Sequence, residues 1–387
     1  MPWSETNRME QRAQFVLDAL RAHFTMSELC ERYGISRKTG YKWVARYHGE
    51  GAQGCSDRLR APKNHPNKTK QLVVKKLLVM RKKHPGWGPV TLHAYLQDHY
   101  PEIAWPCPST IGEILKKHGL VKKRRKRAAK MAWGRGRIRA DRPNRVWTAD
   151  FKGQFRLGNG QLCYPLTVAD AYSRYLLVCR ALKSTAGKPA KRVFEEAFRE
   201  YGLPDVIHTD NGIPFCFPSS LLSLSTMSVW FLKLGIALER SRPGKPQDNG
   251  SHERMHRTLK EEVTHPPRRS QGAQQRALDR FRENYNVERP HHALGLQPPA
   301  RHYTPSARPY PDVLPEIEYP RHFEVRWVSK IGVVNWQRKR IFVSTALAHE
   351  PLGFEHVAND LWSVFFRDIL IGRVFESQAR LVIGAGR

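Results

Sequence analysis

The six cysteines of this 387-residue chain, Cys30, Cys55, Cys107, Cys163, Cys179 and Cys216, fall singly, with no C-x-x-C pair. That excludes a disulfide framework and a cysteine zinc cluster, and predicts a reducing compartment. No apolar run approaches the ~18 residues that span a bilayer, and the opening MPWSETNRMEQRAQF is polar and partly acidic, unlike a signal sequence. A soluble, intracellular protein without a membrane partner is expected. Negative charge is scarce: 35 Asp and Glu stand against 66 Lys and Arg, a net charge of +31. Such an excess suits a chain that lies along a polyphosphate far better than an enzyme of small molecules or peptides, so the expected partner is nucleic acid.

The length allows two to four domains. From Met9, a helical stripe of Phe15, Val16, Leu20 and Phe24 is followed by helical patterns over Met26 to Tyr33 and Arg37 to Tyr47. Gly34 suits the turn between the last two, and Ser36 can cap the second. That second helix is expected to bury Tyr41, Val44 and Ala45 and to offer Arg37, Lys38, Thr39, Lys42 and Arg46 outward, as the recognition helix of a helix-turn-helix domain over residues 1–50. Beyond a polar linker, Leu72 to Met80, Pro89 to His99 and Ser109 to His118 predict a second helix-turn-helix-like domain over 67–120. Ser109 is its expected N-cap, Lys116 and Lys117 its outward bases, and Trp87 a packing anchor. Residues 121–145 carry Arg124, Arg125 and ten further bases against the single acid Asp141, a basic linker for phosphate.

At Arg145 the pattern turns to strands. VWTADFKGQFRL, QLCYPLTVAD and RYLLVCRAL read as a three-strand meander with a turn at Gly158-Asn159-Gly160. A helix over Pro189 to Tyr201, a strand over Asp205 to Thr209, a helix over Leu221 to Leu234 and a strand over Ile236 to Arg240 complete a mixed five-stranded sheet with helices on both faces. Asp150 lies in the first strand and Asp210 at the end of the fourth. Both can converge with Glu253, in the first turn of the helix after the fifth strand. Three converging carboxylates repel unless divalent cations neutralise them. An all-oxygen set suits Mg²⁺ or Mn²⁺, two of which about 4 Å apart clamp a phosphodiester under in-line attack.

The helix of Glu253 sits in GKPQDNGSHERMHRTLK, Gly244 to Lys260, where Glu253 is followed by His256, Arg257 and Lys260 at phosphate-binding spacing. Its residues His252 to His256 also spell H-E-x-x-H, the helical zinc pattern of metallopeptidases. The metzincin extension fails, because Leu259 stands at its glycine position and Glu262 at its third histidine position. A plain solvated helix start is the third reading of the motif.

With Trp147-Thr148-Ala149-Asp150, His208-Thr209-Asp210-Asn211-Gly212, Pro246 to Arg254, and Tyr285-Asn286-Val287-Glu288-Arg289-Pro290-His291-His292-Ala293-Leu294 in order, the chain resembles bacterial insertion-sequence transposases with a retroviral-integrase-type core of the Asp-Asp-Glu class. The resemblance covers roughly Arg145 to Ala300. It implies a ribonuclease H-like core over 146–300 with Asp150, Asp210 and Glu253 as catalytic metal ligands and two Mg²⁺ or Mn²⁺ ions per active site. Asn249 and Arg257 or Lys260 would approach the DNA end, and Gly244 to Gly250 would form a flexible loop. It also implies double-stranded DNA as partner, both transposon ends and target, a homo-oligomer assembled on it, and a bacterial cytoplasmic, nucleoid-associated location. The 42 residues between Asp210 and Glu253 exceed the spacing in many relatives, the extra length falling in FCFPSSLLSLSTMSVW. Asp170 is expected to shape a turn, and His291 with His292 to lie in a structural bracket. A Pro-rich connection leads to FEVRWVSK, GVVNWQRKRIFVS and WSVFFRDILIGRVFE, which predict a small basic β-barrel over 321–387. Two rival functions are a catalytically silent, transposase-derived DNA-binding regulator and, more remotely, a zinc metallopeptidase.

Overall fold

The structure is a computed structural model that describes residues 7–58, 68–121, 139–217, 223–242, 249–378 and 380–382. The chain divides into two compact units, Met1–Lys68 and Thr69–Arg387.

Among its described residues the first unit has the α-helices α1 (Arg8–Leu20), α2 (Met26–Arg32) and α3 (Arg37–Glu50), followed by a 3-10 helix, Gly51–Cys55. They close on Phe15, Val16, Leu29, Cys30, Trp43 and Cys55. Thr25 and Glu28 form a capping box on α2, and Ser36 caps α3 by accepting from the Thr39 amide. Gly34 between them has φ +63°, the left-handed turn expected of it. The buried face of α3 is one residue out of phase with expectation. Tyr41 is 59% exposed and Ala45 is exposed, while Gly40 and Trp43 are buried. The reason is steric: a Cβ at residue 40 would lie 2.6 Å from Cys30 Sγ, so only glycine lets α3 close on α2 and seat Trp43. The terminal part of the α1 stripe is likewise open, with Leu20 and Phe24 each 46% exposed.

In the second unit, α4 (Gln71–Lys83), α5 (Pro89–His99) and α6 (Pro108–Lys117) pack around Leu77, Trp87, Leu92, Tyr95, Leu96, Ile111 and Leu115. Trp87 is a buried anchor, stacked on His84 at 3.8 Å. The helix α6 starts earlier than expected: Pro108 fills its first turn, where its missing N–H costs nothing, and the cap is Cys107 rather than Ser109. Ion pairs tie this bundle to the rest of its unit, Arg301 to Asp98 at 2.8 Å and Lys83 to Glu288 at 3.6 Å.

The central sheet contains β1 (Val146–Phe151), β2 (Phe155–Arg156), β3 (Leu162–Asp170), β4 (Leu176–Leu182), β5 (Val206–Thr209) and β6 (Ala237–Arg240). The expected first strand breaks at Gly153, φ +78°, and so yields the extra short β2. β3 pairs with β4, β1 and β2 antiparallel, whereas β1–β5 and β5–β6 are parallel, so the sheet is mixed. One face is covered by α7 (Gly187–Tyr201) and α8 (Thr226–Lys233), packed on Trp147, Ala149, Leu166 and Val168. The other is covered by α9 (Gly250–Leu259) and α10 (Gln271–Glu283), packed on Cys163, Ala169, Leu176 and Cys179. Burial on both faces explains why β3 reads as a nearly unbroken apolar run.

The C-terminal strands form a five-stranded antiparallel sheet, in the order β13 (Arg380–Val382), β12 (Ile369–Phe375), β11 (Leu361–Phe366), β10 (Pro351–Ala358), β7 (Glu324–Trp327). A separate hairpin, β8 (Val333–Trp336) and β9 (Lys339–Phe342), lays Trp336 on Phe354 at 4.4 Å. The hairpin packs against the sheet instead of hydrogen-bonding across it, so among the described residues no closed barrel forms. No described helix is long and apolar enough to cross a membrane.

Candidate active site

β1 and β5 run parallel with Thr148 beside His208 and Ala149 beside Thr209. The next residues in each strand direction are Asp150 and Asp210, so two carboxylates leave neighbouring strand ends at one level. That is where open α/β sheets gather their ligands. The Gly212 amide donates to Asp210 Oδ1 at 3.1 Å, and a Cβ at Gly212 would lie 2.9 Å from Oδ2. A larger residue at 212 would therefore push the Asp210 carboxylate aside, and Asn211 Nδ2 ties the turn to the Ser241 carbonyl at 2.7 Å.

Helix α9 brings the third carboxylate. Its buried stripe is His252, Met255, His256 and Leu259, at the i, i+3, i+4, i+7 spacing of one helix face. Glu253, Arg254, Arg257 and Lys260 are left exposed. Burial lifts the Asp150 carboxyl to about 7, helped by the charge of Asp210 and, less strongly, of Glu253. Asp210 and Glu253 both act on the Asp150 charge, and positive charge placed beside it would reverse the shift. Carboxylate oxygens are the donors a divalent cation takes, but among the described residues these three do not bring an oxygen each within 4.8 Å of one another.

The two imidazoles turn inward. Thr148 Oγ1 lies 2.8 Å from His252 Nδ1, and Thr167 Oγ1, opposite Asp150 in the ladder, lies 2.7 Å from both His252 Nε2 and His256 Nε2. Burial pushes the His252 imidazole down to about 3 and that of His256 to about 2, so both are neutral. His256, expected at the DNA, thus faces the sheet, with Nδ1 3.7 Å from Asp150 Oδ2. Asp150, His252 and His256 each present a metal-ligating atom within 4.8 Å of the others. A peptidase arrangement is poorly served, since Glu253 is exposed while both rings are buried against threonines.

Of the other expected nucleic-acid contacts, Arg37, Lys38 and Lys42 are exposed on α3 with Thr39 and Arg46 half-buried, and Lys116 and Lys117 are exposed on α6. Lys42 and Arg46 stand over the Trp43 ring at 4.5 and 5.1 Å, which orients both at the helix surface. Asn249 stands at the N-terminus of α9 without a side-chain capping bond and is only 8% exposed, its Oδ1 without a partner among the described residues. Arg124 and Arg125 with the rest of 122–138, and residues 244–248 of the expected loop, lie outside the described residues. Asp170 accepts from the Asn144 amide at 2.8 Å and from the Ser173 amide and hydroxyl at 2.7 and 2.6 Å, which is turn-shaping as expected. His291 packs edge-on to Tyr285 at 4.6 Å within its bracket. Sequence reasoning missed Thr148 and Thr167; the signal was a polar residue on a strand otherwise apolar on both faces.

The fold thus sets carboxylates at adjacent parallel strand ends of a helix-flanked mixed sheet. Residues 140–246 match a family model described as an integrase core domain, and residues 234–299 match a second model of the same description. Residues 11–63 match a helix-turn-helix domain and residues 39–115 a homeodomain-like domain. The chain thus carries an integrase core preceded by helix-turn-helix domains. It is 35% identical over 138 residues to the Pol polyprotein of radiation murine leukemia virus (strain Kaplan), covering 35% of this chain and 22% of that protein. Over 128 residues it is 35% identical to the Gag-Pol polyprotein of feline leukemia virus, covering 33% and 7%. The chain therefore spans less than a quarter of either relative. Among solved structures, the HTLV-2 integrase catalytic core in complex with magnesium shares 16% identity over 43% of this chain and 100% of that one, with a TM-score of 0.33. The simian T-cell lymphotropic virus intasome in complex with the PP2A regulatory subunit B56 gamma shares 16% over 78% and 96%, with a TM-score of 0.37.

Proposed function

We propose that the chain is a DNA transposase of a bacterial mobile element, which cuts a phosphodiester at the element's end and joins the freed 3′-hydroxyl to target DNA. The observation that carries the reading is the level placement of Asp150 and Asp210 on β1 and β5, with Glu253 acting on the same charge from α9. Asp150, Asp210 and Glu253 would hold two divalent ions, Mg²⁺ or Mn²⁺. When bound, such ions supply Lewis acidity to the phosphate and lower the pKa of the attacking water or hydroxyl. The chain's own part is positioning. β1 and β5 fix two carboxylates in one register, and the buried stripe of α9 fixes the third. Arg257 and Lys260, exposed one and two turns beyond Glu253, are placed to receive the phosphates of the DNA end. Lys38, Thr39 and Lys42 on α3 would read the element's terminal sequence, Lys116 and Lys117 a neighbouring stretch. Two ends and one target require several protomers, so a homo-oligomer forms on the DNA, in the cytoplasm with the nucleoid.

The test is strand transfer of labelled element-end DNA into a plasmid with Mg²⁺ or Mn²⁺, comparing wild type with Glu253→Gln. Activity in the wild type, lost in the variant while end binding persists, is the expected result. Equal activity in both removes Glu253 from the site. End binding without activity in either indicates the silent regulator.

A further inference from the structure

The imidazoles of H-E-x-x-H have no part in the proposed reaction, yet their hydrogen bonds leave one nitrogen over. Thr167 Oγ1 lies 3.0 Å from the Asp150 carbonyl oxygen and 2.7 Å from each of His252 Nε2 and His256 Nε2. A hydroxyl has one hydrogen to give and two lone pairs to receive with, and a carbonyl only accepts. The threonine proton therefore goes to Asp150, and both neutral rings donate Nε2–H to the hydroxyl. His252 Nδ1 then accepts from Thr148 Oγ1 at 2.8 Å, a closer partner for that hydroxyl than the Ala169 carbonyl at 3.2 Å. What is left is the lone pair of His256 Nδ1, facing Asp150 Oδ2 at 3.7 Å. Two electron-pair donors face each other beyond hydrogen-bond reach. Their separation is close to the ~3.4 Å that two ligands at ~2.1 Å subtend on one tetrahedral ion.

We propose that His256 Nδ1 joins Asp150 Oδ2 as a ligand to one of the divalent ions, so that this ion sits among nitrogen as well as oxygen donors and is a transition-metal ion in preference to Mg²⁺. The surroundings have the form such a ligand needs. A metal-bound histidine donates its other ring N–H to a fixed oxygen, here Thr167, whose own hydrogen bond to the Asp150 carbonyl locks both ligands together. His252 belongs to this outer layer, held by two threonines. The Asp150 side chain is 21% exposed, which gives an ion a way in. Imidazole nitrogen favours Mn²⁺, Co²⁺ or Zn²⁺ over Mg²⁺, so the chain is expected to discriminate between ions that an Asp-Asp-Glu site alone takes alike. The inference rests on the reading of Asp150 as a metal-holding carboxylate.

Mn²⁺ is the probe. The full-length chain, unlabelled or with ¹⁵N-histidine, is loaded with Mn²⁺ and measured by pulsed electron paramagnetic resonance. The expected result is a ¹⁴N coupling in unlabelled protein that becomes a ¹⁵N coupling in labelled protein and disappears in His256→Gln. Bound Mn²⁺ without a histidine coupling, or no Mn²⁺ bound at millimolar metal, overturns the proposal. The wild-type measurement stands even where the variant fails to fold. Calorimetry adds a second readout: Mn²⁺ binding tighter than Mg²⁺, with equal affinities counting against the nitrogen ligand. Strand transfer without histidine coupling removes this inference and keeps the transposase reading; coupling without strand transfer does the reverse.

Discussion

Asp150 and Asp170 stand on the paired strands β1 and β3, at opposite ends of one ladder: Asp150 faces Thr167, and Trp147 faces Asp170. Burial raises both carboxyls above the ordinary range. What meets them differs. Asp170 receives three hydrogen bonds, from the Asn144 and Ser173 amides and the Ser173 hydroxyl. Asp150 has the Phe151 amide and the charge of Lys152 in its favour, against the stronger repulsion of Asp210 and the weaker one of Glu253. A fully satisfied buried carboxylate is part of the fold, and one pressed by neighbouring carboxylates is a place for a cation. The difference separates a turn residue from a site residue on the same pair of strands.

The largest effect that can break this comparison is on activity. In Asp150→Asn, strand transfer should fall by about a thousandfold or more, the scale on which positioned charge stabilises a transition state. The metal-free melting temperature should hold or rise, since a desolvated charge beside Asp210 is gone. Asp170→Ala should do the opposite to stability. It leaves the Asn144 and Ser173 amides unpaired in a buried turn, at a cost of about 3 kcal/mol, read by urea unfolding. If Asp150→Asn destabilises the chain as much as Asp170→Ala, Asp150 is a structural residue and the contrast fails.

Much of the architecture was legible in the chain. The succession of strands and helices in the core and both helical sets follow from periodicity and turn chemistry. The phase of α3 was not, because Tyr41 and Trp43 are equally good core candidates until Gly40 is seen against Cys30. Nor was the inward face of α9. Spacing places Glu253, His256, Arg257 and Lys260 along one side, but Met255 and Leu259 pull the helix round so that His256 is buried with them. The closed barrel failed for a related reason: alternation predicts each strand, while whether β8 and β9 pair or merely pack is decided by contacts such as Trp336 on Phe354, distant in sequence. Thr148 and Thr167 carry no motif at all and acquire meaning only once α9 lies across them.

The smallest effect sharpens the comparison through pH. The Asp150 carboxyl titrates at about 7 in the fold against an ordinary 3.8. A carboxyl raised by folding is protonated in both states at low pH and charged only in the unfolded state between the two values. Stability is therefore complete below about pH 4, falls as pH rises towards 7, and levels beyond it, where the carboxyl is charged in both states. In metal-free protein the loss across that window should be on the order of 1–2 kcal/mol, reduced by solvent at this partly open site. Asp170 contributes a slope of the same sign, since it too is raised. Subtracting the Asp150→Asn curve from the wild type leaves the Asp150 part alone. Mn²⁺ should flatten that difference, because the ion takes only the charged carboxylate and draws its titration down. An identical slope in wild type and variant would mean that Asp150 ionises as an ordinary carboxylate, and the crowding by Asp210 and Glu253 would have to be abandoned.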